Sequence, residues 1–133
     1  MSIEDEYDAM DYVNGAIIIV TDNSDINTVL SGVFGLNGFE CFKCTTPEEA
    51  LTIFNENFEK IDSILIDGKI AANRSTMLIV KVKSKKPTVK VIVLADKNST
   101  KTRVLDYGAY EFVLKPMSAE GMTNKVITLL TKK

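Results

Sequence analysis

The sequence contains no histidine and no tryptophan, and only two of its 133 residues are cysteines. Without histidine, the chain cannot build catalytic triads or metal sites that depend on an imidazole side chain. Aspartate, glutamate, lysine, serine, threonine, cysteine and tyrosine remain as candidate reactive groups. No apolar run approaches the roughly 20 residues that a membrane-spanning helix requires, so no membrane contact is expected. A basic, apolar export signal is also lacking at the start, which indicates a cytoplasmic protein.

The charge of the chain is nearly balanced but unevenly placed. A net charge of −2 gives no indication of a nucleic-acid partner. Residues 1–14 nevertheless contain five carboxylates and no basic side chain. We therefore expect residues 1–14 to form a mobile acidic arm and residues 15–133 to form a single domain. Hydrophobic residues make up 45% of the chain, which is ordinary for a globular protein with a substantial core.

Uninterrupted Ile, Val and Leu residues predict strands buried on both faces of a parallel sheet, and the sequence contains five short strand-like segments. They span residues 16–20, 39–44, 63–67, 89–94 and 111–114. A segment with helical spacing of its apolar residues follows each run. The least distinctive is 77–82, where a helix is predicted because parallel neighbours need a crossover. This alternation predicts an α/β fold: a five-stranded parallel sheet in the order 2-1-3-4-5, doubly wound as a (βα)5 flavodoxin-like three-layer sandwich.

Helix boundaries and core stripes are predicted from the same segments. In the first helix, Ser24 or Asp25 is expected to cap the start, and Asn37-Gly38 to end it. Its expected core stripe consists of Ile26, Val29, Leu30, Val33 and Phe34. Thr46-Pro47-Glu48-Glu49 predicts a capped start for the second helix, which is expected to bury Phe54 and Phe58.

Charged residues follow three of the predicted strands. Asp22 lies just after the first strand, Asp67 ends the third, and Lys115 follows the last. In this strand order, strands 1 and 3 flank the point where open α/β sheets bind ligands. Two carboxylates about 4 Å apart repel each other by about 4 kcal/mol at an effective dielectric constant near 20. A proton, a cation or separation into water must relieve that repulsion.

Mg²⁺ suits such a group of side chains, because it takes oxygen ligands and is often completed by a phosphate. Lys115 would add a compact positive charge for the same phosphate. A carboxylate can also attack phosphorus and form an aspartyl phosphate. The residues therefore predict a Mg²⁺-dependent phosphoryl acceptor at Asp67. For Asp67 taken alone, a solvated Asp-Gly turn is the alternative.

Four short motifs carry a resemblance to a known family. They are Ile19-Val20-Thr21-Asp22-Asn23, Leu65-Ile66-Asp67, Gly108-Ala109 and Leu114-Lys115-Pro116. In order and spacing they resemble the response-regulator receiver domains, the CheY-like modules, over residues 15–131. Each motif is weak by itself, but the set with its spacing is fairly specific.

The resemblance implies a signalling domain of two-component systems rather than an enzyme. Asp67 would accept a phosphoryl group from a histidine kinase or phosphotransfer protein, and Lys115 would pair with that group. Asp22, Asp67 and the backbone carbonyl of Lys69 would bind Mg²⁺. A stand-alone receiver, with homodimerisation as one option, would act by docking on a downstream protein.

The chain departs from the family pattern at two other positions. Thr21 stands where the family has a second acidic metal ligand, so Mg²⁺ affinity is expected to fall. Ala95 stands where the family has a Ser or Thr whose hydroxyl binds the phosphoryl group, so the usual coupling from Asp67 to the face formed by helix 4 and strand 5 is expected to be impaired. Phe112 takes the position of the family's rotating aromatic residue. A pseudo-receiver that works without phosphorylation is therefore the alternative function.

Other readings are weaker. A haloacid-type phosphatase needs a second Asp where Lys69 stands, and a flavin binder needs a phosphate loop that is missing after strand 1. Cys41-Phe-Lys-Cys44 could suggest a redox or zinc site, but residues three apart in a strand point to opposite faces. A lysine cluster at residues 81–90 lacks the aromatic residues of a nucleic-acid surface and is expected to be a solvated helix end.

Overall fold

The structure is a computed structural model that describes residues 13–67, 72–95, 111–114 and 119–131. Strands and helices alternate along most of this length. The strands are β1 (Ala16–Val20), β2 (Glu40–Cys44), β3 (Ile61–Asp67), β4 (Lys90–Ala95) and β5 (Glu111–Leu114). The helices are α1 (Ser24–Leu36), α2 (Pro47–Glu56), α3 (Ala72–Lys85) and α4 (Ala119–Thr131). The helix predicted between β4 and β5 lies outside the described residues.

The strands form a parallel sheet in the order β2-β1-β3-β4-β5. β1 pairs with β2 and β3, so Val20 lies between Cys44 and Ile66. β3 in turn pairs with β4, with Asp67 opposite Leu94. The predicted parallel α/β sheet is confirmed, and the ends of β1 and β3 lie side by side at its carboxyl edge.

Both faces of the sheet are covered, because alternate side chains of each strand enter different cores. Ile18 and Ile64 belong to a core that also contains Phe54 of α2 and residues of α3. Ile17 and Leu65 belong to the opposite core, which contains residues of α1 and α4. This arrangement gives the predicted three layers. None of the helices in the described ranges is long and apolar enough to cross a membrane.

The helix predictions were partly wrong. Asn23, not Ser24 or Asp25, caps α1, and its side chain accepts a hydrogen bond from the N–H of Ile26. Val29 is 46% exposed, because a five-residue apolar stripe is wider than the face that α1 buries. Phe58 lies beyond the end of α2 and is 39% exposed.

Two other helix predictions are confirmed. Thr46 caps α2 through a 3.1 Å bond from the N–H of Glu49, and Pro47 occupies the first turn. The uncertain segment 77–82 is helical, and its buried side chains recur at Leu78, Ile79 and Val82. That spacing of one, three and four residues is the period of a helix face on the sheet.

Candidate functional site

The carboxyl edge of the sheet brings together residues that are far apart in sequence. Thr21 directly follows β1, and Asp67 is the last residue of the adjacent strand β3. The neighbouring pair Val20 and Ile66 is in register, so Thr21 and Asp67 lie at the same level. The prediction that Asp67 ends a buried strand is thus confirmed. Its side chain is at the switch point between β1 and β3.

Thr21 and Asp67 are hydrogen bonded inside the protein. The Thr21 hydroxyl donates to Asp67 Oδ2 at 2.8 Å, and the two residues are only 1% and 3% exposed. Thr21 Oγ1 in turn accepts a 3.1 Å hydrogen bond from the backbone N–H of Asn23. A bond from a neutral hydroxyl to a buried carboxylate is charge-assisted and stronger than an ordinary hydrogen bond. Thr21 therefore stabilises Asp67 where a second carboxylate would repel it.

Asp22 follows Thr21 and is exposed to solvent. Asn23 then caps α1. The segment between β1 and α1 thus presents an exposed carboxylate beside a buried hydroxyl. Sequence reasoning found Thr21 and Asp22 but missed Asn23, although Asn in the residues before a helix is a known cap signal.

The remaining predicted site residues are only partly covered by the described ranges. Lys69 and Lys115 lie outside them. Ala95 ends β4, next to β3, and Phe112 lies in β5 opposite Val93, but only their backbone is described. Their predicted roles, and those of Lys69 and Lys115, remain predictions.

A cavity of about 260 Å³ opens on the other side of Thr21. Its walls include Thr21, Ser24 and Asn27, together with residues at the end of β2 and the start of α2. Asn27 is buried, and its amide donates to the carbonyls of Ile19 and Cys44 at 3.3 and 3.5 Å. The first turn of α1 is therefore tied to the ends of β1 and β2 and borders open space. The sequence analysis did not identify this cavity.

The donor set fits Mg²⁺ in kind but carries less negative charge than a site with three carboxylates. Asp22 and Asp67 supply carboxylate oxygens, and Thr21 supplies a neutral hydroxyl, all of them hard oxygen donors. Within the described ranges, no three His, Cys, Asp or Glu side chains are grouped to hold a metal ion. Any divalent cation here would depend on the two aspartates and on groups other than carboxylates.

The two cysteines are free thiols. Burial raises the pKa of Cys41 to about 11, although Lys43 lowers it slightly. Burial and the nearby Glu49 raise the pKa of Cys44 to about 12. Reactive thiols have lowered pKa values, so these cysteines have the character of core residues.

The lysine cluster has a structural use that its composition did not reveal. The Lys86 ammonium donates to the carbonyls of Phe58, Glu59 and Ile61 at 2.9, 3.4 and 2.7 Å. Its nitrogen also lies 5.4 Å from the centre of the Phe58 ring. Lys83 similarly donates to the carbonyls of Pro87 and Val89. These lysines fasten the loops at the amino edge of the sheet, which the expectation of a solvated helix end did not include.

Comparison with known proteins identifies the family. Residues 17–127 match the model of the response regulator receiver domain. The chain belongs to this family of two-component signalling domains, which are generally not enzymes. The resemblance inferred from the short motifs is therefore confirmed.

Named relatives and solved structures agree with this assignment. The transcriptional regulatory protein PrrA of Mycobacterium tuberculosis is 27% identical over 119 residues, covering 88% of this chain. The chain spans about half the length of the curated relatives it matches.

Solved structures share the fold at lower identity. A receiver domain from Clostridium thermocellum is 23% identical with a TM-score of 0.74, over 89% of this chain and 95% of that one. The TrrA response regulator of Thermotoga maritima, solved in complex with Mg²⁺-BeF, is 23% identical with a TM-score of 0.72. That match covers 86% of this chain and 98% of TrrA.

Proposed function

We propose that this receiver domain accepts a phosphoryl group on Asp67 in two-component signalling. The observation that carries the proposal is the position of Asp67, buried at the end of β3 and beside the residues that follow β1. An ionised carboxylate at this switch point is a nucleophile in a site that excludes most water.

The chemistry needs no base on the protein, because an ionised carboxylate has no proton to lose. With acetyl phosphate as donor, a lone pair of an Asp67 oxygen forms the new P–O bond. The bond from phosphorus to the acetyl oxygen breaks, and acetate leaves with the electron pair. Thr21 holds Oδ2 during this exchange. Lys115 is proposed to neutralise part of the phosphoryl charge.

Mg²⁺ is the proposed cofactor, and Asp22, Asp67 and the backbone carbonyl of Lys69 are its proposed ligands. When bound, it would neutralise charge on the phosphoryl oxygens. The chain's own residues orient the site: Asp67 through Thr21, and Asp22 through its place between Thr21 and the α1 cap. Because Thr21 is neutral, a high Mg²⁺ concentration is expected to be needed.

Intact-mass spectrometry tests the proposal. The protein is incubated with acetyl phosphate and a series of Mg²⁺ concentrations, and we expect one added phosphoryl group at high Mg²⁺. Asp67→Asn is the control, and it should add none. Absence of the phosphorylated species from the wild type at every Mg²⁺ concentration would reject phosphoryl acceptance.

The proposed partners are a histidine kinase or phosphotransfer protein as donor and an unidentified protein as target, with a homodimer as one form of output. The proposed location is the cytoplasm, with no membrane or nucleic-acid contact. A receiver of this kind would act by docking.

A pseudo-receiver is the second candidate, and the bond between Thr21 and Asp67 favours it. Thr21 already supplies a hydrogen bond to Asp67 Oδ2 without any cation or phosphate. A module of this kind would bind its partner through a fixed surface. It predicts that Asp67→Asn leaves partner affinity unchanged in a pull-down or titration. A large loss of affinity would exclude it.

A further inference from the structure

Three hydrogen bonds link Asp67 to the first turn of α1. The Ile26 N–H donates to Asn23 Oδ1 at 3.1 Å, and the Asn23 N–H donates to Thr21 Oγ1 at 3.1 Å. Thr21 then donates to Asp67 Oδ2 at 2.8 Å. The series runs from a helix start to a carboxylate on the neighbouring strand. All of its bonds are partly or fully buried, where hydrogen bonds polarise one another.

The direction of this series is set by counting protons. A hydroxyl has one proton to donate, and Thr21 Oγ1 already accepts from the Asn23 N–H. Asp67 as a carboxylate has no proton to donate, so the Thr21 hydroxyl is the donor and Asp67 Oδ2 is the acceptor. The strength of this bond consequently depends on the charge of Asp67.

We propose that Thr21 is a positioning residue that holds Asp67 and transmits the charge state of Asp67 to the start of α1. This inference deepens the proposed function and rests on it, since phosphorylation is the event that changes Asp67. It assigns the response to the corner between β1 and α1. Ala95 has no hydroxyl to offer at the end of β4, whereas Thr21 has one at the end of β1.

Phosphorylation changes the acceptor in a defined way. In an aspartyl phosphate, one oxygen of Asp67 is esterified and the other becomes a carbonyl oxygen without the carboxylate charge. A hydrogen bond to a charged acceptor is roughly twice as strong as one to a neutral acceptor. The hydrogen bond from Thr21 to Asp67 should therefore weaken. The hydrogen bond from the Asn23 N–H to Thr21 Oγ1 should change with it. We expect phosphorylation to lower the population of the arrangement in which Thr21 is bonded to Asp67 by about fivefold, which is at the lower end of known couplings.

Space for a response exists beside this series of bonds. The cavity of about 260 Å³ is lined by Thr21, Ser24 and Asn27, so it borders the hydroxyl and the first turn of α1 together. The backbone N–H of Thr21 is fixed by a 3.1 Å hydrogen bond to the carbonyl of Cys44. A change at Thr21 is therefore expected to move the start of α1 rather than the end of β1.

Amide NMR of four variants tests the inference. Asp67→Asn removes the carboxylate charge without requiring phosphorylation, and the shift change that it causes at the amides of Asn23 and Ile26 is the signal. In a Thr21→Val background the same change should be at least about fivefold smaller. Thr21→Ser keeps the hydroxyl and should keep the signal. Thr28→Val is the matched control, because Thr28 lines the same cavity but bonds only the carbonyl of Ser24 within α1.

The outcomes separate this inference from the proposed function. Equal responses at Asn23 and Ile26 with threonine or valine at position 21 would overturn the inference, whatever the result of phosphorylation. Failure of acetyl phosphate to modify the wild type would reject phosphoryl acceptance, while the Asp67→Asn comparison would still decide whether Thr21 transmits the charge. A signal lost in Thr21→Val and kept in Thr21→Ser and Thr28→Val would support it.

Discussion

The amino and carboxyl edges of the sheet each hold a partly or fully buried charge, but with different kinds of hydrogen-bond partner. At the amino edge, the three ammonium protons of Lys86 meet three backbone carbonyls, and the Asp62 carboxylate lies 3.7 Å away. At the carboxyl edge, Asp67 accepts a hydrogen bond from the hydroxyl of Thr21, a side chain with one proton to donate. Lys86 is bound by backbone atoms that belong to the fold itself. Asp67 Oδ2 is bound by a side chain.

This difference separates a structural charge from the proposed phosphoryl acceptor. A charge whose hydrogen-bonding capacity is filled by backbone groups can be removed only at a cost to folding. The hydrogen bond from the Thr21 hydroxyl to Asp67 can change without removing a backbone group of the fold. The comparison would fail if the Lys86 charge proved dispensable for folding, or if the Asp67 charge proved essential for it.

The largest effect is expected at Lys86. Lys86→Met keeps most of the side-chain volume but leaves three carbonyls without their donor, so it should lower the free energy of unfolding by about 2–3 kcal/mol. Urea denaturation followed by circular dichroism measures this change. Lys85→Met is the control, because exposed Lys85 bonds only the Asn55 side chain, and it should cost about 0.5 kcal/mol or less. Equal losses for the two variants would contradict the distinction between the edges.

Thr21→Asp sharpens the comparison at the other edge. A second buried carboxylate beside Asp67 should lower the free energy of unfolding by about 2 kcal/mol in EDTA, since two like charges share the site. Mg²⁺ should restore most of that loss and raise the melting temperature of this variant more than that of the wild type. Thr21→Asn is the neutral control. The interpretation fails if Mg²⁺ stabilises the Asn variant as strongly as the Asp variant.

The cysteines of β2 provide a smaller test, because Cys44 reaches the same edge as Asp67 without being reactive. With pKa values of about 11 and 12, Cys41 and Cys44 are almost entirely protonated at pH 8. Iodoacetamide should therefore modify the folded protein about 100-fold more slowly than the urea-unfolded chain. Intact mass over time measures both rates. Rapid labelling of the folded protein at pH 8 would show that one thiol is activated.

The smallest effect is expected at an exposed ion pair between α2 and α3. Arg74 Nη2 lies 2.7 Å from Glu48 Oε2, and the hydrogen bond from Arg74 lowers the pKa of Glu48. A lowered folded-state pKa stabilises the protein above the pKa of the unfolded chain, and this contribution is lost as the pH falls through the folded-state pKa. In Arg74→Gln the pKa of Glu48 should rise towards its ordinary value, because the largest of the effects that lower it is removed. Carboxyl NMR titration measures the change. An unchanged pKa would exclude Arg74 as the cause.

Much of this fold was predictable because its signals are local. The apolar run of β1 and the capping sequence at Thr46 each depend on neighbouring residues, and the structure has both where they were expected. The exposure of Val29 and Phe58 depends instead on how wide a face the sheet leaves to each helix. The width of that face cannot be predicted from the local sequence pattern of a helix.

The site was predictable in position but not in its bonds. Asp67 at the end of β3 follows from an apolar run that stops at a carboxylate. The sequence analysis treated Thr21 as a lost metal ligand, whereas the structure shows its hydroxyl as a donor to Asp67. The partner of the Thr21 hydroxyl depends on the register of β1 and β3, which places it beside a residue 46 positions away in sequence. The three carbonyls around Lys86 were hidden for the same reason.

The internal bond between Thr21 and Asp67 has a consequence for the resting protein. Because a hydroxyl of the chain itself contacts the carboxylate, this corner of the sheet should keep its shape when a cell's free divalent ions fluctuate. Chelation should then slow any modification without melting the domain. The structure of the unphosphorylated form would then not depend on the concentration of divalent ions. Only the rate of its phosphorylation would depend on that concentration.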